Sequence, residues 1–247
     1  GNSFTTLFSD GPLDKLTMVN QGSFSFEKDY RFNMRTFNAI EWKNFTPLGI
    51  SDYSRVNDNG DTVKVENITS FEIRNQIMYT KEEKFVSANF ERFSLGSRYP
   101  IISLTHTLGI KNILGSEYNF QRLDFIIDHR PKIGLWGKLH YNLYAGKIFG
   151  TLPYPFLNIH EGNQTYYLQT RTFNLLNYFE FVSDTWVGVN FEHRLQGLIL
   201  DKVPLINTLK WRTVYAFKGV VGAFNSKHTS VMNLPQYTNS LSFTKPY

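Results

Sequence analysis

The chain has 247 residues, no cysteine and a net charge of +5, so disulfides, thiolate catalysis and zinc-finger ligation are excluded together. Its mean hydropathy is -0.31, and no run approaches the ~18 consecutive apolar residues of a spanning helix, which excludes a helical membrane protein. The basic residues alternate with apolar ones and mix with acids instead of forming a stripe or tail, which argues against a nucleic-acid partner. Aromatics stand out, with 22 Phe, 14 Tyr and 4 Trp making 16% of the chain. Such rings favour strands, and Tyr and Trp favour the headgroup boundary of a bilayer.

In chain order, period-two patterning predicts strands over 21–31, 35–45, 69–79, 85–95, 101–110 and 118–130, then 135–149, 174–182, 185–196 and 208–221. The tail 229–243 adds another, interrupted near Pro235. That makes about ten or eleven strands and no helix, an all-β chain within the range of outer-membrane barrels. A closed barrel of that kind has an even strand number, so 1–247 reads as one barrel domain with a few strands expected outside it.

The clearest segment begins at Leu135. Leu139, Tyr141, Leu143 and Ala145 take one side of an extended chain, while Lys138, His140, Asn142 and Tyr144 take the other. Val187, Val189 and Phe191 likewise oppose Asn190, Glu192 and Arg194, and Phe71, Ile73 and Ile77 oppose Glu72, Arg74 and Gln76. The segment is also longer than the five or six residues usual for a globular strand, and suits the roughly nine to eleven of a strand tilted across a bilayer. An apolar wall toward lipid and a polar lumen follow. The lumen-facing charged residues are Arg122, Asp124, Asp128, Arg130, Glu192, Arg194, Lys210 and Arg212, with opposite signs paired. The segments 35–45 and 85–95 alternate poorly.

The connections are unequal. Ser183 and Asp184 read as a tight turn, whereas 46–67, 150–165 and 197–207 are long. Within the first, residues 57–61 are acidic and Asn-rich but lack the distal Glu and helical flanks of an EF-hand, so they read as a polar turn. The long insert 150–173 carries Pro153, Tyr154, Pro155, His160, Gly162, Asn163 and Arg171. Its prolines stiffen the start, and Tyr154, Phe156, Leu157 and Ile159 give it an apolar side suited to docking. The insert is therefore expected to turn into the lumen, with Arg171 reaching Glu180 or Glu192 through a charge-assisted hydrogen bond. Six scattered histidines lack metal-ligand spacing, and Asp124 and Asp128 lie roughly 13 Å apart along one strand face, too far to share a proton. No catalytic residue, cofactor or metal is expected.

Four strings carry a family resemblance: EKFVSANFERFSLGSRYP (83–100), GKIFGTLPYPFLNIHEGN (146–163), FNLLNYFEFVSD (173–184) and LQGLILDKVPLINTLKWR (195–212). They resemble a Bacteroidota outer-membrane family of unknown function, in which a carboxypeptidase-regulatory-like domain precedes a large barrel. The segment Thr170-Arg171-Thr172-Phe173 is also similar to the lumen-loop motif of surface-antigen barrels that insert or export outer-membrane proteins. Arg171 and Phe173 match that motif, and Thr172 stands where it has Gly. The resemblance implies a non-enzymatic barrel in the outer membrane of a Gram-negative bacterium, acting in envelope biogenesis or protein export. Its partners would be outer-membrane lipid and other envelope proteins. A passive or gated solute channel, and a barrel that anchors a surface or periplasmic partner, are the alternatives.

Overall fold

The computed structural model describes residues 15–49, 53–56, 61–88, 91–165, 167, 169, 172–197, 200–204 and 206–240. Among the described residues fifteen strands occur in chain order: β1 (Lys15–Tyr30), β2 (Met34–Gly49), β3 (Tyr53–Val56), β4 (Thr62–Val65) and β5 (Ile68–Thr80). Next come β6 (Lys84–Ala88), β7 (Glu91–Gly96), β8 (Ile101–Gly109), β9 (Phe120–His129) and β10 (Lys138–Phe149). The last are β11 (Asn158–Ile159), β12 (Phe181–Ser183), β13 (Thr185–Arg194), β14 (Val214–Ala223) and β15 (Asn239–Ser240). Eight of them form one sheet in the order β1-β2-β5-β8-β9-β10-β13-β14, and every neighbouring pair is antiparallel. The fold is all-β, as expected. The sheet is an up-and-down meander, and among the described residues its outer strands β1 and β14 do not pair with each other.

The register shows how this sheet is sheared. Starting from Lys218 in mid-β14, paired residues run through Asn190, Asn142, Asp128 and Ile101 to Thr80, the last residue of β5. Thr80 in turn lies against Asn33, in the β1–β2 turn. A line across the strands therefore leaves the middle of β14 and exits at the tip of the first hairpin. The slip is about eight residues over seven strand interfaces, which at ~3.3 Å per residue and ~4.8 Å per strand corresponds to a tilt of roughly 38°. Closed barrels tilt their strands by a similar angle.

Alternation gives the sheet one mainly apolar and one mainly polar face. One face carries Phe24 and Phe26 on β1, Ile40 on β2, Ile77 on β5 and Leu104 on β8, then Leu123 and Phe125 on β9. It continues through Leu143 on β10, Val187 and Phe191 on β13, and Phe217 and Val221 on β14. All of these are exposed, Leu143 at 41%, Val187 at 56% and Phe217 at 62%. The opposite face carries Ser23, Glu41, Lys43, Glu72, Arg74, Thr107, Arg122, Asp124, His140, Asn142, Glu192 and Lys218. On that face two glycines let rings lie flat against the sheet. A Cβ at Gly146 would meet Trp186 at 2.1 Å, and one at Gly188 would meet Tyr144 at 2.1 Å.

The buried core gathers at one end, where the β2–β5, β8–β9 and β10–β13 connections and the segment after β14 meet. Its members are Tyr53, Ile68, Phe120, Ile148, Leu152, Tyr154, Phe156, Leu157, Val182, Trp186 and Met232. Phe156 touches Phe45 of β2 at 5.1 Å between ring centroids and Phe120 of β9 at 6.1 Å. Those strands are three steps apart, about 14 Å on a flat sheet, so the sheet curls around the insert.

Several expected strands differ. The 85–95 segment is the hairpin β6–β7, which explains its poor alternation. The 174–182 segment is mostly turns that end only in the short β12, with Phe179 at a positive φ of 60°. Asp184 does not make a tight turn: its backbone N–H bonds Ala223 and its carbonyl accepts from Ile148, extending the ladder of β13. Residues 134–136 form a 3-10 turn before β10, set by left-handed Gly134 and Gly137 (φ 50° and 88°). Residues 206–209 are a helical turn ended by Lys210 at φ 52°, so β14 begins only at Val214. The tail holds a 3-10 turn (Ser226–Ser230) and β15, and residues 241–243 of the expected strand lie outside the described residues.

Candidate functional site on the polar face

The polar face and the segments folded onto it make the candidate site. At its centre Arg122 Nε and Nη2 donate to both oxygens of Asp124, at 2.8 and 2.9 Å. Arg122 Nη2 also donates to Asn158 Oδ1 of the insert at 3.2 Å, and its guanidinium lies 4.8 Å from the centre of the Trp186 ring. Bidentate geometry with a stacked ring is the arrangement an arginine serves and a lysine does not. One side chain thus joins the wall to the insert.

Lys218 makes a second joint. Its ammonium donates to the carbonyls of Gln169 and Thr172 at 2.6 and 2.7 Å. The expected tether, Arg171, lies outside the described residues. The two acids expected to receive it have other partners: Glu180 accepts from the Asn177 backbone N–H at 2.7 Å, and Glu192 is paired with Arg194.

The remaining charged residues lie along the same face or in the connections beyond it. Asp128 takes Arg130 at 3.4 Å, His140 Nε2 at 2.8 Å and Asn142 Nδ2 at 3.4 Å. Arg130 falls one residue beyond β9, with 65% of its side chain exposed. Lys210 and Arg212 are not on a strand: they sit in the β13–β14 connection, where Arg212 pairs with Asp201 at 2.8 Å. The apolar residues around them mimic strand alternation in the sequence. A further network lies on β2 and β5, where alternation already places Glu72 and Arg74 on the polar side but gives no sign of their partners on β2. Lys43 bridges Glu41 and Glu72 at 2.6 and 2.8 Å, Arg74 holds Glu41 at 2.8 Å, and both acids are buried.

The insert itself is tightly tied. Pro153 is fully buried, and Pro155 lies in the 3-10 turn Tyr154–Phe156. The Tyr154 phenol, raised well above its ordinary range by burial, meets Thr238 Oγ1 at 3.4 Å. Asn163 closes an Asx turn, accepting from Thr165 N–H and Oγ1 at 2.9 and 2.7 Å, while its amide donates to Tyr167 O and Asn174 Oδ1. At Gly162 a Cβ would stand 2.1 Å from Asn177 O, so only glycine lets those backbones meet.

Two histidines clasp the insert. His160 is buried, with Nε2 2.8 Å from Ser183 Oγ, its ring edge-on to Phe173, and its pKa lowered to about 4 by desolvation. His228 Nδ1 accepts the Leu152 N–H at 3.1 Å, which leaves Nε2 to donate to Asp184 Oδ2 at 3.2 Å. Burial lowers the His228 pKa, against the opposing pull of Asp184. That tautomer joins the start of the insert, the start of β13 and the segment after β14. Ser183 is wholly buried, so its pairing with His160 presents no nucleophile to a substrate. Neither clasp had a local sequence signal, since its members are 23 to 76 residues apart in the chain.

Among the described residues no group of three or more His, Cys, Asp or Glu is placed to hold a metal ion, and no helix is long and apolar enough to cross a membrane. No curated protein and no solved structure matches the chain. The profile described as "Family of unknown function (DUF5686) C-terminal domain" matches residues 1–231. With the match covering most of its length, the chain belongs to the DUF5686 family, as its C-terminal domain.

Proposed function

We propose that the chain forms part of the wall of an integral outer-membrane β-barrel that acts in envelope biogenesis or protein export. The observation that carries the reading is the uncovered apolar face, continuous from Phe24 on β1 to Val221 on β14. In water a monomer rarely leaves more than a few hundred Å² of contiguous apolar surface bare. In a bilayer the same face is the required outer wall, with the polar residues turned to a lumen. The long antiparallel strands and their roughly 38° tilt fit that arrangement. Lipid offers no hydrogen bonds, so the reading requires the free edges of β1 and β14 to pair with further strands.

The docked insert favours biogenesis or export over an always-open pore. Its core cluster spans residues from Phe45 of β2 to Val220 of β14, across one end of the prospective lumen. A gated channel is the second reading, favoured by Asp128, His140, Glu192 and Arg194, which the insert leaves uncovered near the other end.

The test is the full-length protein in planar bilayers and in depleted cells. Expected results are extraction only with detergent, a low resting conductance that rises in Lys218→Met, and reduced levels of other outer-membrane proteins on depletion. A steady conductance in the parent with no effect of depletion would favour the channel. Release into buffer without detergent would overturn both readings.

A further inference from the structure

We propose that the rim of the apolar face, at the insert end of β10 and β13, binds the phosphate of an anionic lipid headgroup between Lys147 and Lys227. The inference rests on the membrane reading above. A groove of about 620 Å³ lies there, lined by Lys147, Phe149, Thr185, Asn225, Ser226 and Lys227 among others. Register places Lys147, Phe149 and Thr185 on the apolar side of the sheet, facing away from the charged networks and the insert. Among the described residues neither lysine enters an ion pair. The Lys147 ammonium lies 5.2 Å from the centre of the Phe149 ring, which also lines the groove.

The single acid lining the groove, Asp184, is already engaged. It accepts from the Asn225 N–H at 3.0 Å, the Thr185 hydroxyl at 3.0 Å and His228 Nε2 at 3.2 Å, and is largely buried. Two unpaired ammonium groups with hydroxyl and amide groups beside them match a phosphate monoanion. The surroundings select a lipid over free phosphate. Immediately below the groove the apolar face continues through Ala145, Val187 and Val221, where acyl chains would run. Cationic and aromatic residues at the edge of an apolar band are where headgroups lie.

Native mass spectrometry of the full-length protein in neutral detergent, titrated with phosphatidylglycerol or phosphatidylcholine, tests this. Phosphatidylglycerol should bind preferentially. Lys147→Gln with Lys227→Gln should weaken it by about thirtyfold, given the usual worth of two basic side chains near anionic lipid, and Lys→Arg at both sites should restore it. Lys64→Gln with Lys111→Gln serves as a charge-matched control and should change little. Equal binding of the two lipids, or a double variant that binds like the parent while remaining folded, would overturn the proposal. Displacement by millimolar inorganic phosphate would assign the groove to the free anion and overturn it as well. If the membrane reading itself failed, the protein would stay dispersed without detergent and bind neither lipid, a different outcome from loss of selectivity alone.

Discussion

The two ends of the strands are built by different rules. At the insert end, Leu152, Ile68, Val182 and Met232 are buried in one apolar cluster, and burial lowers the pKa of two histidines. Along the strand bodies and at the other end, side chains as large as Phe24 and Phe217 are bare on one face, while the opposite face holds paired, mostly half-buried charges. The first region follows the rules of a soluble core, in which burial stabilises. The second follows those of a wall between two solvents. A single chain combining them teaches that its local stability and its placement in lipid are separable properties, each open to its own perturbation.

The largest effect should come from the core. Leu152→Ala removes a fully buried side chain beside Tyr154 and Met232 and should cost about 4 kcal/mol. Hydrogen exchange should show it as lost protection in 150–184, with β1 and β2 unaffected. If protection fell uniformly, the two regions would be one cooperative unit.

Next is the wall. Leu143→Arg at mid-β10 should cost about 3 kcal/mol in a bilayer. The neighbouring Asn142→Arg, on the polar face, should cost less than about 1 kcal/mol. Denaturant unfolding from vesicles measures both, and equal penalties would erase the distinction between the faces.

Acid offers a milder probe of the insert. His160 has its pKa lowered from 6.5 to about 4, so the unfolded chain binds the proton first. Stability therefore falls as pH drops below 6.5 and levels off near 4, a loss of about 3 kcal/mol from this group. Protease sensitivity of the insert should rise across that window and be muted in His160→Gln. The smallest effect is expected at Arg194→Gln, an exposed partner of Glu192, where stability should change by less than about 1 kcal/mol.

How much of this was legible in the sequence follows the same division. A strand with one wet and one greasy side writes its face into every second residue, so β9, β10 and β13 could be read to within a few positions. β2 resisted because Phe45 and Ala39 sit on the polar face, where Phe45 packs on the insert, and Asn38 and Asn44 sit on the apolar one. Lys210 and Arg212 were misplaced because a helical turn and a left-handed residue interrupt what reads as alternation. The insert's apolar composition announced that it docks. Its fastenings did not show, because Lys218 holds backbone carbonyls 46 and 49 residues away and Leu152 reaches His228 across 76. Contacts of that span leave no periodic trace.

The most direct test of the central claim uses the absence of cysteine from these 247 residues. Single cysteines placed in turn along β10, Lys138–Phe149, in the full-length protein with any cysteine outside them replaced by serine, would carry a nitroxide for accessibility measurements in lipid vesicles. The expected result is alternation: odd positions such as 139, 141, 143 and 145 collide with oxygen dissolved in the hydrocarbon, and even positions do not. Uniform protection along the strand, as in a wall packed beneath a second sheet, would contradict it.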